Sequence, residues 1–149
     1  MPVDPSFVGR VYPPTPPYEV GREKIREFAD AINDPNPAYR DPEAARAYGH
    51  ADVVAPPTFA IRVSLSAGNQ LFADPDLDID YSRVVHGEQR FVHHRPITAG
   101  DVLQVDVTIE SLRTAAGNDI IGTRNEVRTV DGEPVTTTHT MIVVRGDAA

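Results

Sequence analysis

Asp34, Asn36 and Tyr39 put a carboxylate, an amide and a phenol into one short stretch, NDPNPAYRD, residues 33–41. A carboxylate beside a second hydrogen-bonding group is the equipment for orienting a water molecule and moving its proton. The plainer readings are that Asp34 bonds nearby backbone in a loop and that Tyr39 lines a pocket or the core. His86-Gly87 offers an imidazole that titrates near neutral pH, next to a residue that lets a ligand or another backbone approach closely. His93 and His94 follow on the same predicted strand. Alternation places His86 and His94 on one face and His93 on the other, so the adjacent pair does not converge on a metal, and no metal site is expected. With no cysteine there is no thiolate nucleophile, disulfide or Cys-ligated zinc. Glycine-rich phosphate loops are absent as well.

The elements that must hold these residues are legible from periodicity. VYPPTPPY, residues 11–18, is held extended by its prolines and reads, within a Pro-rich lead-in over 1–20, as a strap. In GREKIREFADAIND, Ile25, Phe28, Ala29 and Ile32 form one apolar helical face, and the helix ends at Asn33-Asp34-Pro35. Asp41-Pro42-Glu43 opens a second, short helix, with Gly49 as its stop. A third helix is expected from about Thr58 to Phe72, entered rigidly through Pro56-Pro57, with Phe59, Val63, Ala67 and Leu71 recurring along it. Ala60, Ser64, Ser66 and Gly68 keep it slim. Strands are expected over 83–95, 102–112, 119–130 and 135–145, and residues 146–149 form a tail. Leu103, Val105, Val107 and Ile109 alternate with polar neighbours. Helices first and antiparallel strands afterwards is an α+β order, and a curved sheet would bury the slim third helix well.

At 149 residues the chain is sized for one domain, and its 40% hydrophobic and 24% charged content is an ordinary globular balance. A net charge of −8 speaks against a nucleic-acid partner, whose phosphates need a basic surface. No apolar run approaches the roughly 18 residues of a membrane span. The first residues lack the basic and apolar blocks of a signal peptide, so the expectation is a cytoplasmic protein.

Two motifs give these elements a resemblance. RPITAGD, residues 95–101, is similar to the P-x-x-x-G-D connection of MaoC-like dehydratases, and Asp34 to Ala55 resembles the hydratase region of that family. The resemblance spans roughly residues 5 to 145. It implies a hot-dog fold, a curved antiparallel sheet wrapped around a long central helix, with no cofactor. It also implies that Asp34, Asn36 and Pro37 stand where the family's D-x-N-P-x-H loop has its Asp, Asn and Pro. Tyr39 occupies the place of the His, and a phenol with an ordinary pKa near 10 does not replace an imidazole as a base. Pro56-Pro57 stand where the family has His-Gly, whose backbone N–H meets the thioester oxygen; Pro57 has no N–H.

Two of three catalytic elements are thus missing. GREKIREFA and VVAPPTF further resemble the non-catalytic chain of actinobacterial (3R)-hydroxyacyl-ACP dehydratase heterodimers. The expectation is a substrate-channel subunit that works with a catalytic hot-dog partner on acyl-ACP or acyl-CoA. The site residues expected are Asp34 and Tyr39 as a degenerate catalytic pair, with Asn36, Pro56, Pro57, Thr58, His86 and Gly87 about the substrate. The alternatives are a self-sufficient hydratase using Asp34 with Tyr39 or His86, and a homodimeric acyl-thioester binding module. An acidic chain is a poor sole dock for an acidic carrier, so either a local cluster such as Arg83, Arg90 and Arg95 provides a basic patch or the partner does.

Overall fold

Strict alternation in the second half of the chain builds one sheet. In a computed structural model that describes residues 3–147, β1 is Tyr18–Glu19, β2 Val84–His93, β3 Val102–Ala115, β4 Asn118–Thr129 and β5 Pro134–Val144. All pair antiparallel in the order β1-β3-β4-β5-β2. Leu103, Val105, Val107 and Ile109 of β3 are buried, and so are Ile121 and Val127 of β4. Three helices are α1 (Arg22–Ala31), α2 (Pro42–Ala47) and α3 (Ile61–Ala73). The sheet curls round α3, whose Val63, Ala67 and Leu71, with Phe59 just before the helix, form a buried stripe. This is the hot-dog architecture that the resemblance implies.

Several boundaries depart from the sequence reading, each for a local reason. α3 becomes α-helical only at Ile61, not at Thr58. Its approach runs through tight i→i+3 turns, with the N–H groups of Phe59, Ile61 and Arg62 donating to the carbonyls of Pro56, Thr58 and Phe59. Ile32 caps α1 instead of extending its apolar face, and is 45% exposed. The lead-in supplies a strand, β1, and upstream of it Tyr12 and Thr15 donate to the carbonyls of Val107 and Val105. The prolines around Tyr12 and Thr15 have no N–H to give, so the bonds to the β3 edge fall on the residues between them.

The strap is also fastened to the far end of α3. Asp74 caps that helix and accepts hydrogen bonds of 2.7 Å from both the Tyr12 hydroxyl and Arg10 Nη1. The Tyr12 bond, helped by Arg10 and opposed by burial, holds the Asp74 carboxyl below the usual 3.8. A depressed folded-state pKa adds stability that is present above about pH 4 and lost as pH falls through the folded value. Thermal melts should therefore show a falling acid limb below about pH 4 that is shallower in Asp74→Asn, whose neutral-pH Tm is lower. An acid limb of unchanged slope in the variant would mean that Asp74 does not carry this linkage.

The histidines on β2 face differently from simple alternation. A bulge at Gly87 shifts the register between His86 and Glu88, so His86 pairs with Ile142 and His93 with Thr136, and both share the concave face. His94 instead bonds Thr137, on the opposite face. Gly87 sits where an added Cβ would be 3.2 Å from Met141 Cε and 3.4 Å from its carbonyl oxygen, so the close approach here is to β5.

Candidate functional site

The NDPNPAYRD loop is shaped by its own polar side chains. Asp34 Oδ1 accepts from the Asn36 N–H at 3.1 Å, and Asn36 Oδ1 accepts from the Ala38 N–H at 3.0 Å, capping the short 3-10 turn Pro37–Tyr39. Asn33 takes a positive φ of 56° at the exit of α1, a conformation asparagine tolerates better than most residues. The guanidinium of Arg40 reaches back to Asp30 and to the Asp34 carbonyl, closing the loop on itself.

Beside it runs the segment Val53–Ala55, hydrogen-bonded on both sides. The Val54 N–H donates to the Ala38 carbonyl at 3.1 Å and the Ala55 N–H to the Ile97 carbonyl at 2.8 Å. The Ala99 N–H returns to the Val53 carbonyl. The hydratase-like loop and the RPITAGD connection are therefore stitched together through one strip of backbone. Asp101 holds the connection's shape: it takes both terminal nitrogens of Arg95, at 2.8 and 3.0 Å, and the Thr98 N–H at 2.8 Å. Arg95 also donates to Glu133, and these carboxylates hold its pKa above the ordinary arginine value, Asp101 foremost. Gly100 has φ 95°, where a side chain would be strained.

Between these parts opens a cleft of about 710 Å³ with a mainly apolar wall. Asn36 and Tyr39 enter it from the loop, Pro56 and Pro57 from the approach to α3, Tyr48 and His50 from the end of α2, and His93, His94 and Arg95 from the end of β2. A volume of this size suits one small ligand or the reactive end of a long one. The structure brings Asn36, Tyr39, Pro56 and Pro57 together, while Asp34, Thr58, His86 and Gly87 lie outside the lining. His86 bonds Gln89 on the concave face of β2. Sequence reasoning did not find Tyr48, His50, His93 and His94 as cleft residues; no motif marks them, and they meet only as parts of the cleft wall, Tyr48 and His50 following α2 and His93 and His94 at the end of β2.

Tyr39 is 8% exposed. Burial, and then the charge of Asp34, push its phenol pKa up, against a smaller opposing hydrogen bond from Asn36. With its pKa raised, the hydroxyl keeps its proton at neutral pH and is able to donate a hydrogen bond, the reverse of a base. Pro57 offers no N–H at the cleft mouth. Arg83 and Arg95, two members of the expected basic patch, are each engaged by carboxylates, Asp80 and Asp147 for one, Asp101 and Glu133 for the other. Among the described residues no group of three or more His, Asp or Glu is placed to hold a metal ion, and no helix is long and apolar enough to cross a membrane.

The family described as "FAS1-like, dehydratase domain region" matches residues 6–138. The chain belongs to that family. A UPF0336 protein of Saccharopolyspora erythraea is 58% identical over 148 residues, covering 99% of this chain and 95% of the relative. Among solved structures, the HadBC (3R-hydroxyacyl-ACP dehydratase) complex of Mycobacterium tuberculosis is similar with a TM-score of 0.81 at 35% identity, over 92% of this chain and 96% of that one. A MaoC-like dehydratase matches at a TM-score of 0.83 and 39% identity, over 95% of this chain but only 43% of that longer chain. The MaoC-like dehydratase likeness seen in the sequence thus holds across sequence and fold.

Proposed function

We propose that this chain is the non-catalytic, substrate-channel subunit of a (3R)-hydroxyacyl-thioester dehydratase or hydratase, working with a catalytic hot-dog partner on fatty acyl groups carried by ACP or CoA. The observation that carries this reading is the cleft itself. Asp34 and Asn36 hold the shape of a loop that resembles a hydratase loop, while the resemblance puts Tyr39, whose phenol keeps its proton, at the position of the base and Pro57 at that of the amide donor. Adding water across an enoyl thioester needs both. The likeness to a chain of the HadBC complex, at 35% identity over nearly all of both chains, supports a hot-dog partner. So does β2, a long strand at one end of the sheet order, paired among the described residues only with β5. Exposed backbone along such an edge is a ready surface for a second sheet.

The test is hydration of crotonyl-CoA. The purified chain alone is expected to show no turnover above background, and turnover is expected on mixing with a small hot-dog chain that carries D-x4-H. Clear turnover by the chain alone that disappears in Asp34→Asn would contradict the assignment.

A further inference from the structure

His94 stands at the head of a hydrogen-bonded chain that the degenerate catalytic loop does not use. Its Nε2 lies 2.9 Å from Thr137 Oγ1, and the Thr137 hydroxyl donates to Glu126 Oε2 at 2.7 Å. Thr137 is 8% exposed, and Arg124 Nε sits 3.2 Å from the other oxygen of Glu126. A hydroxyl has one proton, and a carboxylate can only accept, so Thr137 gives its proton to Glu126 and must accept from His94. Nε2 therefore carries a proton, and in the neutral imidazole Nδ1 is a bare acceptor. Among the described residues Nδ1 has no hydrogen-bond partner.

His94 lines the same cleft as Tyr39, whose buried phenol is a donor. In its neutral form His94, its tautomer fixed by Thr137, can thus accept a hydrogen bond and Tyr39 can donate one, and both line this mainly apolar space. A hydroxyl group on an aliphatic chain satisfies both at once, because it donates to one and accepts from the other. An alkene carbon satisfies neither.

We propose that this cleft binds acyl thioesters and that His94, oriented by Thr137 and Glu126, makes it prefer a 3-hydroxyacyl group over the corresponding enoyl group. This rests on the thioester reading of the fold and adds to it a selecting residue in the chain whose own catalytic loop is degenerate. The cleft then holds the hydrated form of the substrate without converting it.

The experiment is calorimetric binding of 3-hydroxybutyryl-CoA and crotonyl-CoA to the full chain. The hydroxy compound should bind about fivefold tighter, the worth of one ordinary hydrogen bond. His94→Leu should abolish that preference, weakening 3-hydroxybutyryl-CoA more than crotonyl-CoA. Thr137→Val, which frees the ring to take either tautomer, should reduce the preference. Equal binding of the two ligands by the wild type, or a preference retained in His94→Leu, would overturn the proposal. Variants that weaken both ligands alike would also overturn it, since that is the signature of a merely structural role. No binding of either ligand overturns it too; if a reconstituted pair nevertheless hydrates crotonyl-CoA, the subunit assignment survives that result, and if the pair is silent, the assignment falls with it.

Discussion

Tyr39→His combined with Pro57→Gly is expected to raise crotonyl-CoA hydration by this chain to a measurable level. The loop that would carry a base at position 39 is already formed by the Asp34 and Asn36 side chains, and position 39 already faces the cleft. An imidazole there supplies a base that a raised-pKa phenol cannot, a change worth about 10²–10⁴ in rate where proton transfer limits. Glycine at position 57 returns an N–H to the approach of α3, and one oxyanion donor is typically worth about 10²–10³. Wild type, each single variant and the pair are compared by crotonyl-CoA hydration. The double variant should exceed wild type by at least about a hundredfold, with the singles well below it, since the two groups act in one transition state. A double variant that folds, binds crotonyl-CoA and stays silent would mean that the cleft no longer presents a thioester to position 39.

Phe59→Ala carries the largest expected loss of stability. Phe59 is fully buried, packs edge-on against Phe28 with ring centroids 5.4 Å apart, and sits at the turn that joins Pro56-Pro57 to α3. Truncating a buried Phe costs about 3–5 kcal/mol through lost transfer energy and the cavity left behind. At about 2–4 °C per kcal/mol for a chain of this size, Tm should fall by roughly 10 °C or more. Ile32→Ala is the control: periodicity assigns Ile32 to the same apolar face as Ile25, but at 45% exposed its loss should stay within about 0.5 kcal/mol. Calorimetric melts decide between them. Equal losses at the two positions would mean that Phe59 is not the keystone under the cleft.

That contrast shows what sequence patterns can and cannot reveal here. The stripe Phe59, Val63, Ala67, Leu71 and the β3 alternation were legible because burial follows the period of a regular element. Ile32 was not, because a helix that stops at Ala31 leaves the next residue in sequence off its buried face. His93 and His94 do lie on opposite faces, but His86 was grouped with His94 when it shares a face with His93, because the bulge at Gly87 inverts the parity after it; the glycine was the written sign. In the cleft, Asn36, Tyr39, Pro56 and Pro57 could be found through their motif positions. His50, His93 and His94 could not, since they share no spacing and come to one cleft only when the chain folds.

The division of labour between two hot-dog chains is tested most directly by placing the base. The purified chain is mixed with a hot-dog partner carrying D-x4-H, and crotonyl-CoA hydration is followed for three assemblies: both chains native, the partner's motif His replaced by Ala, and this chain carrying Asp34→Asn. The subunit assignment predicts full activity in the first, none in the second and an unchanged rate in the third. Activity that survives loss of the partner's histidine and disappears with Asp34→Asn would put the chemistry in this chain and contradict the account.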